Sequence, residues 1–255
     1  MELEAMVASL DAYLDPDTMD DYGPNGLQVE GRGEVGKIVT GVTASRNLIE
    51  AAIAEKADAV LVHHGLFWKG AWPHRLTGWM GARVRLLVKN DISLIGYHLP
   101  LDVHPELGNN VSLLESLGLF PKGRFGDGDI GMWAEFDEPL DAPALSERLE
   151  DILGGADANA GRALHHIAGG GPVRRIGVVS GAGQRYLEAA VAAGCDAYLT
   201  GEASEMVTHV ARETGTHYYW AGHHATERMG IQRLGEWIAK KHGLDVEYVD
   251  DPNPV

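Results

Sequence analysis

Ala57-Asp58-Ala59-Val60-Leu61-Val62-His63-His64-Gly65 is the stretch on which the reading of this chain turns. Its apolar run reads as a strand buried on both faces, the pattern of a parallel sheet covered by helices. The run stops at two adjacent imidazoles and a glycine. A buried strand end has no cheap way to satisfy two ring N–H groups, so packing does not account for the pair. Neutral imidazole is the commonest metal ligand, and the carboxyl ends of parallel strands are where α/β proteins place their sites.

Upstream, residues 37–43 read as a strand. Residues 45–56 read as a helix, with Ser45 as its N-cap and Leu48, Ile49, Ala52 and Ile53 as its inward stripe. Strand, helix and strand make one βαβ unit. Before it come a helix over 4–14, turn chemistry at Tyr22-Gly-Pro-Asn-Gly26 and a short strand, Leu27–Val29. Downstream, Met80, Val84, Leu87 and Val88 share a helix face. A strand over 92–97 leads into His98-Leu-Pro-Leu-Asp102, and a helix follows Asn109 and Asn110.

Composition shifts at Pro121. Residues 130–136 read as a strand, 142–153 as a helix and 154–171 as a region containing a loop. The chain restarts at Val173-Arg-Arg-Ile-Gly-Val-Val-Ser180. An offset of 138 positions (176 − 38) aligns Ile38 with Ile176 without gaps, and Glu50, Ala51, Ala52, Asp58, Ala59 and Leu61 meet identical residues. Two strand–helix–strand units with the same punctuation suggest an internal duplication; convergence between Ala-rich amphipathic helices is the competing explanation. His63 and His64 fall opposite Gly201 and Glu202, so only the first copy carries the imidazoles. A helix over 204–214 and a strand over 217–221 follow. Then come Gly222-His-His-Ala-Thr-Glu227, a long amphipathic helix to about Lys241 and an edge strand over 244–248. The fold class expected is α/β: two intertwined halves with an internal duplication, mixed or parallel sheets flanked by helices. Residues 1–121 plus 218–255 are expected to form a metal-site domain, and 122–217 an inserted second α/β domain.

Among 255 residues there are 37 acids against 21 Lys and Arg, a net charge of −16. That repels phosphate backbones and makes nucleic acid an unlikely partner. One cysteine, Cys195, rules out an internal disulfide, and with no visible signal peptide a cytoplasmic location is expected. No apolar run approaches the ~18 residues that span a bilayer.

The chemistry gathers at three predicted strand ends. Adjacent strand residues point to opposite faces, so His63 and His64 do not readily share one ion; at a strand end, where the chain turns, they can reach two neighbouring ions. Asp102 closes the next strand. His223 and Glu227, at i and i+4, share a face in the first helical turn, where a carboxylate also suits the helix dipole. A Glu can bridge two cations ~3.5–4 Å apart, the spacing of two-metal hydrolytic sites. Imidazole mixed with carboxylate suits two divalent ions such as Zn, Fe, Mn, Ni or Co rather than Ca. His165-His166 reads as solvated, and His74, His104 and His209 have no partner pattern. Ser180-Gly-Ala-Gly183 reads as a plain tight turn before an anion-binding one, and residues 218–220 as strand packing before a base-stacking platform.

Val62-His-His-Gly65, His98-Leu-Pro-Leu-Asp102, Thr200-Gly-Glu202 and Gly222-His-His-Ala-Thr-Glu227 together resemble the YbgI-like family, the GTP cyclohydrolase I type 2 homologs. The resemblance runs from Asn25-Gly-Leu-Gln28 to the last long helix. It implies a dinuclear metal centre in a toroidal homohexamer, with His63, His64, Asp102, His223 and Glu227 as ligands. Many members read Ala-His-Thr-Asn-Leu-Asp where this chain has Tyr97-His-Leu-Pro-Leu-Asp102, which removes polar side chains at 99 and 100. The function implied is a metal-dependent hydrolase acting on a nucleotide or related heterocycle. In it, His98 acts as general acid or base, or orients Asp102. A non-catalytic metal-binding scaffold or metal-handling protein is the alternative.

Overall fold

The computed structural model describes residues 1–71, 75–153 and 164–255. In chain order the first elements are α1 (Leu3–Leu14), β1 (Gly26–Val29), β2 (Lys37–Thr43), α2 (Arg46–Ala54), β3 (Ala59–His64), α3 (Gly78–Lys89), β4 (Ser93–Gly96), α4 (Leu99–Val103) and α5 (Asn109–Ser116). Next come β5 (Gly123–Phe125), β6 (Gly131–Leu140), α6 (Ala142–Leu153), β7 (His165–Ile167), β8 (Val173–Val178), α7 (Leu187–Ala192), β9 (Ala197–Thr200), α8 (Glu205–Thr214), β10 (His217–Trp220), α9 (His223–Thr226), α10 (Arg228–His242) and β11 (Asp245–Tyr248). Local chemistry explains several boundaries. The Ser45 hydroxyl accepts from Leu48 N–H and caps α2, as its sequence predicts. Gly215, at φ +74°, ends α8 in the left-handed region that glycine enters without strain.

By its contacts the chain divides into two compact units, Met1–Leu101 with Gly230–Asp251, and Asp102–Met229 with Pro252–Val255. The sequence expectation drew the boundaries at 121/122 and 217/218. The contact boundaries fall elsewhere because Val111, Leu113, Leu114, Leu117 and Leu119 share a core with Met132 and Ala134, and because β10 hydrogen-bonds to β9 and β7. The first unit holds a five-stranded sheet, ordered β1-β4-β3-β2-β11, with α2 and α3 packed over Val39, Val60, Val62 and Leu94. The second holds a six-stranded sheet, ordered β5-β6-β8-β9-β10-β7, with α5 and α6 over Met132, Ile176, Leu199 and Tyr219.

The two sheets share a four-strand layout and differ beyond it, where β11 lies parallel to β2 and β6 antiparallel to β8. β2, β3 and β4 run parallel, with β1 antiparallel outside β4; β8, β9 and β10 run parallel, with β7 antiparallel outside β10. Ile38 pairs with Ala59, and 138 positions on, Ile176 pairs with Ala197. Asp58 Oδ2 accepts from the amides of Gly36 and Lys37; Asp196 Oδ2 accepts from those of Arg174 and Arg175. A shared register and a shared carboxylate staple are more than convergent helices would produce, so the duplication is a property of the fold.

The region 154–171 holds a strand that its composition did not mark. Residues 165–167 form β7, with His165 and His166 exposed as expected; residues 154–163 of that region lie outside the described residues, as does His74. The sequence hid the strand because both histidines are exposed and the strand has three residues. It pairs antiparallel with β10, and across that pairing His166 lies flat on Tyr219 at 4.2 Å and His165 on Trp220 at 4.7 Å. Tyr218 and Tyr219 are themselves fully buried, the packing role expected of 218–220.

Candidate metal centre

In the first unit, β3 ends in His63, fully buried, and His64, partly buried. His63 Nδ1 lies 3.0 Å from the Tyr97 carbonyl. A carbonyl only accepts, so Nδ1 carries the proton and Nε2 of the neutral ring is the lone-pair nitrogen. His64 Nδ1 lies 3.1 Å from Thr43 Oγ1, on the neighbouring strand. His98, just past β4, has Nδ1 2.6 Å from Asp21 Oδ1. The three ring centroids are 4.6, 5.1 and 5.5 Å apart, and each ring offers a nitrogen within 4.8 Å of the others. The predicted opposition of adjacent strand side chains is relaxed here because the strand is ending. Gly65 makes the turn possible: a Cβ there would sit 2.2 Å from Gln28 Nε2. Gln28 in turn accepts from Leu66 N–H and donates to the Pro24 carbonyl.

Asp21 is 5 % exposed and receives four donors. His98 Nδ1 and Tyr22 N–H reach Oδ1, while Leu99 N–H and Asn25 Nδ2 reach Oδ2. Burial pushes its carboxyl up, but His98, Asn25 and Leu99 outweigh burial and hold it below the usual carboxylate range.

In the second unit, Asp102 sits on α4 rather than on a strand end. Its Oδ1 accepts from Asn109 Nδ2 and Ser180 Oγ, both at 2.8 Å. The Ser180 amide is itself held by Asn110 Oδ1. His223 opens α9, its Nδ1 2.6 Å from Glu202 Oε1 and its Nε2 3.1 Å from Glu227 Oε2, the i, i+4 pairing expected. Burial lowers the His223 pKa, but Glu227 and Glu202 outweigh it, and the ring is pushed up to about 9. Asp102 and Glu227 each offer a carboxylate oxygen within 4.8 Å of the other's. Gly181, at φ +59°, lies against this group: a Cβ there would meet Glu227 Oε1 at 2.0 Å and His223 Nε2 at 2.9 Å. The Gly181 and Gly183 amides donate to Thr226 Oγ1 and Thr200 Oγ1, so the 180–183 segment is the plain turn expected.

Sequence reading missed Asp21, Asn25, Thr43, Asn109 and Ser180. These act on the site through other side chains, and no spacing rule marks such residues. Glu202 was visible in Thr200-Gly-Glu202 and as the counterpart of His64 in the repeat, without a role at the site. His104 and His209 stand apart in local roles, accepting from the Glu106 and Leu107 amides and pairing with Glu205.

Within each unit the donors suit borderline divalent cations. His63, His64, His98 and His223 are each anchored through Nδ1, which fixes each ring by an outer partner and leaves Nε2 as the atom that could meet a cation or a proton. Glycine at 181 leaves room around the Glu227 carboxylate that any other residue would fill.

A family model for Duf34/NIF3 (NGG1p interacting factor 3) matches residues 1–254. The chain belongs to the DUF34/NIF3 family. Relatives named GTP cyclohydrolase 1 type 2 homolog occur in Haemophilus influenzae, at 47 % identity over all of this chain and 98 % of theirs, and in Vibrio cholerae, at 48 % over all of this chain and 99 % of theirs. A solved NIF3-type neighbour, protein ybgI, described as of unknown function, is 43 % identical with a TM-score of 0.93 over the whole of both chains. TTHA1606 from Thermus thermophilus is 32 % identical with a TM-score of 0.86, again over both whole chains. Among the described residues no helix is long and apolar enough to cross a membrane.

Proposed function

We propose that this DUF34/NIF3 protein is a dinuclear metal-dependent hydrolase, with His63, His64, Asp102, His223 and Glu227 as the ligands of two divalent cations. The observation that carries it is the cluster of imidazoles at the ends of β3 and β4, each with Nδ1 tied down and each offering one nitrogen within 4.8 Å of the others. A pair of such ions supplies Lewis-acid activation of water and neutralises developing negative charge. The chain's own residues do the rest. Asn109 and Ser180 hold Asp102, Glu202 holds His223, and His98 moves a proton at Nε2. The names of the relatives point to a purine nucleotide or a related heterocycle as substrate. Self-association into a ring and a cytoplasmic location belong to the same proposal.

One observation favours a second reading, a non-catalytic metal-binding scaffold. A cleft of about 460 Å³ in the first unit is lined by Asp11, Asp15, Asp17, Asp20 and Asp21, and its Lys69 is paired with Asp20 at 2.5 Å. That field repels a triphosphate.

Elemental analysis of purified protein, followed by a hydrolysis panel of GTP, other nucleotides and free heterocycles, tests both readings. Hydrolysis expects about two ions per chain and turnover that His63→Ala abolishes. Two ions with no turnover across the panel selects the scaffold. Equal turnover in wild type and His63→Ala refutes the metal site.

A further inference from the structure

Four donors converge on one buried carboxylate that no spacing rule marked. Asp21 Oδ1 is 2.6 Å from both His98 Nδ1 and the Tyr22 amide, and Oδ2 is 2.9 Å from the Leu99 amide and 3.0 Å from Asn25 Nδ2. Asn25 then turns its own Oδ1 onto the His98 amide at 2.8 Å. Ring and backbone of His98 are therefore gripped by the same turn, Asp21–Asn25. Trp68 meets the ring edge-on at 5.0 Å and Tyr22 at 6.1 Å. Two of the four imidazoles described above, His98 and His223, are anchored through Nδ1 by a carboxylate.

We propose that Asp21 is the positioning residue of His98: it fixes the imidazole as the Nδ1–H tautomer and aims Nε2, the lone-pair atom, at the reacting group. An ionised carboxylate only accepts, so the proton shared with His98 resides on Nδ1. The neutral ring then has one basic atom, Nε2. This is the division of labour in which a buried Asp orients a histidine without itself taking the proton. The catalytic use of His98 rests on the hydrolase reading; its orientation by Asp21 does not.

Asp21→Asn is a sharp perturbation because all four neighbours donate. An amide NH2 must face either Leu99 and Asn25 or His98 and Tyr22, and in either case donor meets donor. Asp21→Glu keeps an acceptor-only head.

Two measurements test the proposal. The first is long-range 1H–15N correlation of the imidazoles in the intact protein, with His98 assigned by its absence from a His98→Gln sample. Wild type is expected to give the Nδ1–H pattern, and Asp21→Asn to lose it in favour of Nε2–H or a mixture. An Nε2–H ring in wild type overturns the proposal and requires no variant to fold. So does a tautomer unchanged in folded Asp21→Asn, the result a purely structural staple gives. The second is kinetic, on metal-loaded protein with whichever substrate the panel identifies. Asp21→Asn should lower kcat by about 100-fold or more with KM within about threefold, and Asp21→Glu should recover at least about tenfold of the loss. A loss confined to KM overturns it. If no substrate turns over, the hydrolase reading falls while the tautomer measurement still decides the role of Asp21.

Discussion

Replacing Gly181 by alanine separates the space around Glu227 from the backbone geometry of the turn that borders it. Gly181 has φ +59°, and an L-residue there costs about 1–2 kcal/mol in the left-handed region. The added Cβ would also lie 2.0 Å from Glu227 Oε1, against an ordinary contact of ~3.5 Å, so the carboxylate must retreat by roughly 1.5 Å. Glu227 is 2 % exposed and 3.1 Å from His223 Nε2. Losing a buried ion pair by deleting one partner costs about 3–5 kcal/mol, and displacement without deletion costs part of that. The sum is about 2–4 kcal/mol, or roughly 5–15 °C in Tm for a unit of this size.

Gly118→Ala is the internal control: φ is +76°, and nothing lies within 4 Å of its Cβ. It should show the backbone cost alone, about 1–2 kcal/mol, with full metal content. Urea unfolding of both variants, read with elemental analysis, gives the comparison. Gly181→Ala is expected to be the less stable and to lose at least ~10-fold in metal affinity, the usual effect of disturbing the groups that orient a ligand. Equal stability and equal metal content in the two variants refute the claim that glycine is there to make room for Glu227.

In metal-free protein, His223 is pushed up to about 9 from 6.5. Its contribution to stability is therefore fully present below about pH 6.5 and is lost as pH rises through about 9, and a ring titration by NMR with a midpoint near 6 refutes the Glu202–His223–Glu227 account. Burial pushes the Cys195 thiol up to about 12. A disulfide reagent at pH 8 should leave it untouched in native protein and modify one thiol per chain in guanidinium; rapid native labelling contradicts this. Asp58→Ala and Asp196→Ala each strip two strand amides of their acceptor and should each destabilise by about 1–3 kcal/mol, alike to within about 1 kcal/mol. The exposed Arg32 pair that Asp58 makes adds little. A large cost at one and none at the other breaks the structural equivalence of the copies.

The parallel units were legible because their signals are local. A polar cap at Ser45, an inward stripe at Leu48, Ile49 and Ala52, and an apolar run ending in His63 need no tertiary information. The repeat was legible for the same reason, and its 138-residue offset carries over to strand register and to the Asp58 and Asp196 staples. The candidate ligand types could be picked out because imidazole pairs are costly at buried strand ends. Their outer partners could not. Asp21 and His98 are 77 positions apart and Asp102 and Ser180 are 78, and a hydrogen bond across such a span leaves no periodicity in the sequence. β7 was missed because a three-residue strand of exposed histidines has neither alternation nor an apolar face.

The Nδ1 anchors on His63, His64 and His223 bear on how the proposed site would exchange its occupants. A ring so tethered cannot flip without breaking a bond, so its rotational freedom is lost when the chain folds and not when an ion arrives. Swapping one divalent species for another then demands no rearrangement of these rings. On the proposed metal reading, the ion bound would be set by what the surroundings supply, and protein made in media of different metal content should come out carrying different cargo on an unchanged frame.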